Sequence, residues 1–212
     1  MNSELPPYLF SFILPAGLLL LALVAVANRV LRRPVGAWCL VALTVLAFGL
    51  VALPVGGLPL ARWITTFCGS PSLPLIALLA TALGRRALNL NLLRQAEVRT
   101  TANFGLVAGL VLYPLAMGLG PFDPYALGWD FSALHVVVGA LTVWWLWRGN
   151  RFGLVLLGAI AACQLGLMES GNYWDYLVDP ICFIVSLVMV GRRFLRSRLQ
   201  TNPPVANPVA AA

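Results

Sequence analysis

Two polar segments carry the residue types that could do chemistry. One spans residues 120–131 and the other residues 169–180, and together they hold five carboxylates interleaved with aromatic rings. Rings beside carboxylates suit sugar binding, because ring faces stack on apolar sugar faces while carboxylates accept hydroxyl hydrogens. The oxygen ligands could also hold a divalent cation, although we predict no metal site and no cofactor.

The candidate site residues come from these segments and the stretches beside them. We predict His135, Glu169 and Asp175 as acid–base residues that converge on one outward-facing pocket, with Tyr173 and Trp174 at its rim. The predicted binding residues are Asp123, Trp129, Asp130, Gln164, Asn172, Tyr173, Trp174, Tyr176 and Asp179. A histidine within an apolar stretch is a functional candidate because it can be ionised there.

Apolar stretches must position these residues. The chain is 60% hydrophobic and 10% charged, against roughly 25% charged in ordinary globular proteins. Seven stretches approach the roughly 20 residues that a membrane helix needs: 8–27, 35–55, 63–83, 101–118, 131–147, 152–168 and 176–191. The sequence predicts an all-α membrane protein, a seven-helix transmembrane bundle that forms one polytopic domain over residues 1–200. Residues 201–212 are predicted to be a disordered cytoplasmic tail.

Charge segregation predicts the orientation. Thirteen of the fourteen basic residues follow the first, third, fifth or seventh stretch: Arg29, Arg32, Arg33, Arg85, Arg86, Arg94, Arg99, Arg148, Arg151, Arg192, Arg193, Arg196 and Arg198. The opposite side holds Arg62 and six of the seven acids: Glu4, Asp123, Asp130, Glu169, Asp175 and Asp179. Arginines stay in the cytoplasm, so we predict a multi-pass protein of the bacterial inner membrane with its amino terminus outside.

The same polar residues also have structural explanations. Tryptophan and tyrosine gather at membrane interfaces as anchors. Asp179 precedes Pro180 and suits the N-cap of the last helix, and Asp130 could cap the fifth. His135 and Gln164 should lie at similar depth on neighbouring antiparallel helices, where they could hydrogen-bond to each other. Both the structural and the functional interpretation stay open.

The third stretch contains a predicted break. Gly69, Pro71 and Pro74 interrupt the helical hydrogen-bond ladder several residues from its outer end. Nearby hydroxyls could satisfy the freed backbone groups, namely those of Thr65, Thr66, Ser70 and Ser72. Such a break can line a cavity or be a simple kink.

Several chemistries are excluded by composition. The chain has no lysine, so it cannot form a retinal Schiff base, and its single histidine cannot supply paired haem ligands. No glycine-rich phosphate loop of the Walker type is present. The net charge of +7 is explained by contact with lipid headgroups, so the predicted partners are membrane lipids and not nucleic acid.

Three functions remain after these exclusions. The first is an accessory subunit or factor of bacterial envelope assembly that serves a glycan- or lipid-handling membrane partner. The second is an enzyme for a lipid-linked substrate at the periplasmic face. The third is a small transporter that uses the broken third helix, which would need polar residues in the inner half as well. The inner half offers little beyond Thr44, Thr81, Asn103 and Thr142.

Overall fold

The predicted helical class is confirmed. A computed structural model describes residues 5–201. Glu4 lies outside the described residues, as do residues 202–212, which make up most of the predicted disordered tail. The helices are α1 (Leu5–Phe10), α2 (Ile13–Leu31), α3 (Ala37–Ala52), α4 (Leu60–Cys68), α5 (Leu73–Leu83), α6 (Gln95–Ala116), α7 (Ala133–Trp147), α8 (Phe152–Gln164), α9 (Tyr173–Leu177) and α10 (Pro180–Thr201). A π-helical turn covers Gly84–Leu88, and a 3-10 helix covers Pro124–Gly128.

One helical segment in the described part of the chain is long and apolar enough to cross a membrane. This segment, Leu5–Leu31, has 27 residues and comprises α1 and α2. Shorter apolar helices are α3, α7 and α8. Helices α6 and α10 have 22 residues each and carry charged residues near one end. Each of the seven predicted spans contains at least one helix.

A small hairpin between α3 and α4 is the exception to the helical architecture. Strands β1 (Pro54–Val55) and β2 (Leu58–Pro59) pair in antiparallel fashion. Gly56 and Gly57 form the turn with φ angles of +58° and +87°, which glycine adopts without steric cost. The apolar pattern extended the second span to residue 55, whereas α3 ends at Ala52 because the chain turns into this hairpin.

Helices α6 and α10 approach closely along a face that carries two glycines. A β-carbon at Gly105 would lie 2.5 Å from Ser186 Oγ, and one at Gly109 would lie 2.2 Å from Phe183 Cδ2. Residues four apart share one helix face, and small residues on that face let two backbones pack closely. This helix pair therefore forms one wall that reaches both ends of the bundle.

Helix α8 lies at the centre of the core and supports the second polar segment. Its residues Phe152, Leu156 and Ala159 are fully buried, and it packs against α5, α6, α7 and α9. Residues spaced by three and four positions face the same side of a helix. Tyr173 and Leu177 of α9 join the same core, so the second polar segment is anchored directly on the bundle.

The third span is broken where the sequence predicted. Helix α4 ends at Cys68 and α5 starts at Leu73, and between them Gly69 adopts φ +69° and ψ −176°, a region open almost only to glycine. The nearby threonine hydroxyls do not bond to the backbone groups freed by the break, as the sequence suggested they could. Thr65 and Thr66 both donate to the Arg62 carbonyl in the turn before them, because α4 is intact at that point.

Candidate functional site

The two polar segments pack against each other. The Asn172 side chain donates to the Tyr125 carbonyl at 2.9 Å, and the Trp174 indole donates to the Pro124 carbonyl at 2.8 Å. Asn172 is fully buried, and its Oδ1 also accepts the backbone N–H of Trp174 at 3.0 Å. A β-carbon at Gly128 would lie 1.8 Å from that oxygen. Only a glycine permits this approach, which joins the segments into one unit.

Two buried tyrosines close the second segment. The Tyr176 hydroxyl accepts the backbone N–H of Met168 at 3.1 Å and donates to the Ser170 carbonyl at 3.3 Å. The Tyr173 ring stacks on His135 with centroids 4.4 Å apart. Both tyrosines are about 1% exposed, and burial raises the pKa of Tyr173. These two rings, which the sequence placed at a binding surface, are packed into the fold.

A cavity of about 510 Å³ lies beside this unit, within the range of about 300–1,000 Å³ typical of small-molecule sites. Its walls come from the break between α4 and α5, from the carboxyl end of α6 and from both polar segments. The lining residues are Gly69, Ser70, Leu112, Tyr113, Ala116, Tyr125, Glu169, Ser170, Asp175, Val178, Asp179 and Pro180.

The three carboxylates of this cavity have different surroundings. Glu169, whose side chain is 57% exposed, forms a salt bridge with Arg62. Asp175 is half-buried and accepts the Tyr125 hydroxyl at 3.0 Å. Burial, and then the negative charge of Asp175, raises the pKa of Tyr125, so this phenol stays protonated and keeps donating. Asp175 is therefore the half-buried carboxylate of the cavity that a phenol holds in place, whereas Glu169 is more exposed and is paired with Arg62.

Asp179 has the structural role that its position before Pro180 predicted, together with a second role. Its Oδ1 accepts the backbone N–H of Cys182 at 2.9 Å, which caps the start of α10. Its Oδ2 accepts the backbone N–H of Ser72 at 2.8 Å. The carboxylate is only 5% exposed. Asp179 thus accepts one of the backbone N–H groups that the break between α4 and α5 leaves without a partner in a helix.

His135 is not among the residues that line the cavity. It lies in the first turn of α7, where Nδ1 accepts the Ser132 backbone N–H at 3.4 Å while the ring stacks on Tyr173. Gln164 is the last residue of α8 and is exposed. The predicted hydrogen bond between His135 and Gln164, both described residues, is absent. Helix α8 ends four residues before its predicted end, which moves Gln164 to the rim of the bundle.

The remaining predicted residues of the first segment lie outside the cavity. Asp130 is exposed and has no hydrogen bond within residues 5–201. Helix α7 begins at Ala133, so Ser132 occupies the N-cap and accepts the Leu134 N–H at 3.2 Å. The prediction that Asp130 caps this helix is wrong, because the helix starts two residues later than the apolar pattern indicated.

Asp123 and Trp129 flank the 3-10 helix Pro124–Gly128. Asp123 is exposed and caps it by accepting the Tyr125 backbone N–H at 2.9 Å. Trp129 is also exposed, and its ring contacts that of Tyr125 edge to face with centroids 6.0 Å apart. Both residues therefore support Tyr125 from outside the cavity.

Several cavity residues were not predicted from the sequence. Tyr113 comes from the carboxyl end of α6, where the pattern showed only an apolar span, and Gly69 and Ser70 come from the break. The combination of Gly69 with Pro71 was the signal that could have placed the break at the site. Among the described residues, no group of three or more histidine, cysteine, aspartate or glutamate side chains is arranged to hold a metal ion.

The cavity offers acceptor oxygens, phenolic hydroxyls and an apolar wall. Glu169 and Asp175 can accept hydrogens from hydroxyls or a cationic group, and the phenols can donate and accept. This arrangement can bind a polar, hydroxyl-bearing molecule. Comparison with known protein families, with curated proteins and with solved structures finds no match for the chain.

Proposed function

We propose that this chain is a seven-helix, multi-pass protein of the bacterial inner membrane. The support is its outward surface, where large apolar side chains are exposed on several helices: Val45 of α3 is 68% exposed, Val107 of α6 61% and Val143 of α7 67%. Large exposed apolar surface is typical of proteins that contact lipid or another protein. The α4–α5 pair then counts as one broken span.

The amino terminus of the proposed membrane protein lies outside and the carboxyl end inside. The support is the charge distribution, because arginines resist translocation and gather at one end of the bundle, whereas five of the six acids in residues 5–201 lie at the other. Within residues 5–201, Glu97 is the single acid at the arginine end. Acids contribute little to the orientation rule, so Glu97 does not change the expected orientation.

Cysteine labelling tests this orientation. Asp130→Cys and Arg148→Cys place single thiols at exposed positions on opposite ends of the bundle, in a chain whose native cysteines are replaced by alanine. We expect a membrane-impermeant maleimide to label intact spheroplasts at position 130, and to label position 148 only after lysis. Equal labelling of both positions in intact spheroplasts would contradict the orientation.

Within that membrane, the function that the geometry supports best is an accessory factor of cell-envelope assembly. We propose that it binds a glycan or lipid-linked glycan group at the outer face, on behalf of a membrane-protein partner. The observation that carries the proposal is the cavity in which Glu169 and Asp175 lie beside Tyr113 and Tyr125. Carboxylates paired with aromatic hydroxyls are suited to hydroxyl-rich ligands.

Binding fits this cavity better than acid–base catalysis. An acid–base pair must lie within hydrogen-bond reach of the same substrate. His135 does not line the cavity, Asp179 uses both oxygens on backbone N–H groups, and Glu169 is paired with Arg62. The enzyme hypothesis required His135 as an acid or base, and His135 does not line the cavity.

Transport is also less well supported, although the broken third span does line the cavity. The polar residues of the inner half are used within the fold. Thr44, Thr81 and Thr142 each donate to the carbonyl four residues earlier in their own helix, and Asn103 accepts from Arg193. These four residues are therefore engaged within the fold and do not provide polar side chains for a pathway to the inner side.

The substitution Asp175→Asn tests the binding function. Asparagine keeps an oxygen that can accept the Tyr125 hydroxyl, so we expect protein abundance and thermal stability to stay near those of the parent. The negative charge in the cavity is lost, and we expect the variant to fail to restore envelope integrity, measured as detergent sensitivity, to a strain that lacks the protein.

The matched control is Asp130→Asn, which makes the same charge change at an exposed residue outside the cavity. We expect it to restore envelope integrity fully. If Asp175→Asn restores integrity as well as Asp130→Asn does, the cavity is not the functional site.

A further inference from the structure

A second cavity lies at the arginine-rich end of the bundle, between α6 and α10. Its volume is about 510 Å³, and four arginines line it: Arg99, Arg192, Arg193 and Arg196. Arg193 is held in place because its Nη2 donates to Asn103 Oδ1 at 2.7 Å. The other three guanidinium groups are exposed. Two helices thus bring four positive charges to one concave surface.

These charges are not neutralised by the protein. No carboxylate lines the cavity, and none of the four arginines forms a salt bridge within residues 5–201. Glu97, the acid nearest to Arg99 in the chain, is buried and accepts two backbone N–H groups with its two oxygens. Four like charges at close range repel one another, so an anion bound among them would be stabilised.

An apolar groove adjoins the arginine cavity. It has a volume of about 280 Å³ and is lined mainly by leucines of α2 and α5, among them Leu18 and Leu75, and by residues of α10. Val98 and Met189 line both the groove and the arginine cavity. The two spaces are therefore neighbours that share these side chains, so a positively charged compartment lies beside an apolar one.

We propose that this combined surface binds an anionic phospholipid of the inner leaflet. The phosphate headgroup contacts the four arginines, and one acyl chain lies in the leucine-lined groove. Arginine is well suited to phosphate because its guanidinium can donate two parallel hydrogen bonds. Basic pockets between helices on the cytoplasmic side are typical lipid headgroup sites. The inference rests on the proposed membrane location and is separate from the outer cavity.

The groove favours a lipid over a soluble phosphate. A free phosphate ion would use the arginines alone and leave the apolar compartment without an occupant. A phospholipid matches both compartments, since it joins an anionic headgroup to an apolar chain.

Lipid binding to the purified full-length protein tests the proposal. Native mass spectrometry in a neutral detergent compares retention of added phosphatidylglycerol with that of phosphatidylcholine of the same chain length. We expect preferential retention of phosphatidylglycerol by the parent. Arg192→Gln combined with Arg196→Gln should weaken that binding roughly thirty-fold, since each basic residue contributes to anionic-lipid affinity.

The control is Arg29→Gln combined with Arg33→Gln, which removes two exposed arginines from the same end without touching the cavity. It should retain phosphatidylglycerol like the parent. Equal losses in both double variants would show a diffuse surface charge effect and overturn the site. Inorganic phosphate and dihexanoyl-phosphatidylglycerol are tested in the same way to identify the ligand. If either binds as tightly as the long-chain lipid, the acyl chain does not contribute to binding and the groove is not part of the site.

Membrane fractionation separates this proposal from the one on which it rests. If the protein fractionates with membranes and shows no preference for phosphatidylglycerol, only the lipid site is overturned. If the protein fractionates with soluble proteins, the membrane location and the lipid site both fall.

Discussion

Replacing Asp179 by alanine is expected to cause the largest loss of stability among substitutions at the carboxylate-rich end of the bundle. Its two oxygens accept the backbone N–H groups of Ser72 and Cys182, and all three residues are buried. Each buried donor left without a partner costs about 1–3 kcal/mol. We therefore expect Asp179→Ala to lower the free energy of unfolding by roughly 2–5 kcal/mol, measured by denaturant unfolding in detergent and by abundance in membranes.

Two further variants isolate the cause. Asp179→Asn keeps one acceptor oxygen and removes the other, so its loss should fall between those of the parent and the alanine variant. Asp123→Ala removes an exposed carboxylate that accepts a single N–H, from Tyr125, and should cost less than about 1 kcal/mol. If Asp179→Ala is as mild as Asp123→Ala, the carboxylate does not hold the broken helix.

Asp179 illustrates how much of the site local sequence could predict. An aspartate directly before a proline predicts the N-cap of a helix, and the Cys182 hydrogen bond confirms that role. The hydrogen bond to Ser72 joins residues 107 positions apart. Local patterns carry no information about such a partner, because it depends on how α10 packs against the broken third span.

The positions of the helix ends explain why Asp130 and Gln164 have other contacts than the sequence predicted. The apolar runs located the helices, yet α7 begins two residues later and α8 ends four residues earlier than the runs suggested. These shifts give the N-cap to Ser132 in place of Asp130 and move Gln164 out of the bundle. A boundary error of a few residues is ordinary in sequence reading, and it is enough to change which polar groups meet.

Two carboxylates that line the cavity at the carboxylate-rich end were named from the sequence. The sequence brought Glu169 and Asp175 together because one segment carries both, and the structure places both in the cavity wall. The ion pair of Glu169 with Arg62, and the contact of Asp175 with Tyr125, join distant segments. They follow from how distant segments pack together, which single-residue patterns do not encode.

Glu97 is the acid that departs from the charge segregation, and its contacts explain why it is there. It is 3% exposed. Its Oε2 accepts the Arg94 backbone N–H at 2.6 Å, at the start of α6, and its Oε1 accepts the Arg151 backbone N–H at 3.1 Å, in the turn between α7 and α8. Arg151 in turn donates from its side chain to the carbonyls of Asn91 and Leu92. The carboxylate thus joins the start of α6 to the turn between α7 and α8, and the Arg151 side chain joins that turn to the segment before α6.

Replacing Glu97 by alanine should therefore destabilise the opposite end of the bundle, although by less than removing Asp179, because the two N–H groups belong to exposed residues that water can reach. Two backbone donors lose a buried acceptor, so we expect a loss of roughly 1–3 kcal/mol in the free energy of unfolding, seen in denaturant unfolding and in protein abundance. Glu97→Gln makes the same change in net charge but keeps one acceptor oxygen, and should lose about half as much. If the two variants lose equally, charge and not hydrogen bonding is responsible, and Glu97 does not join these segments as the structure indicates.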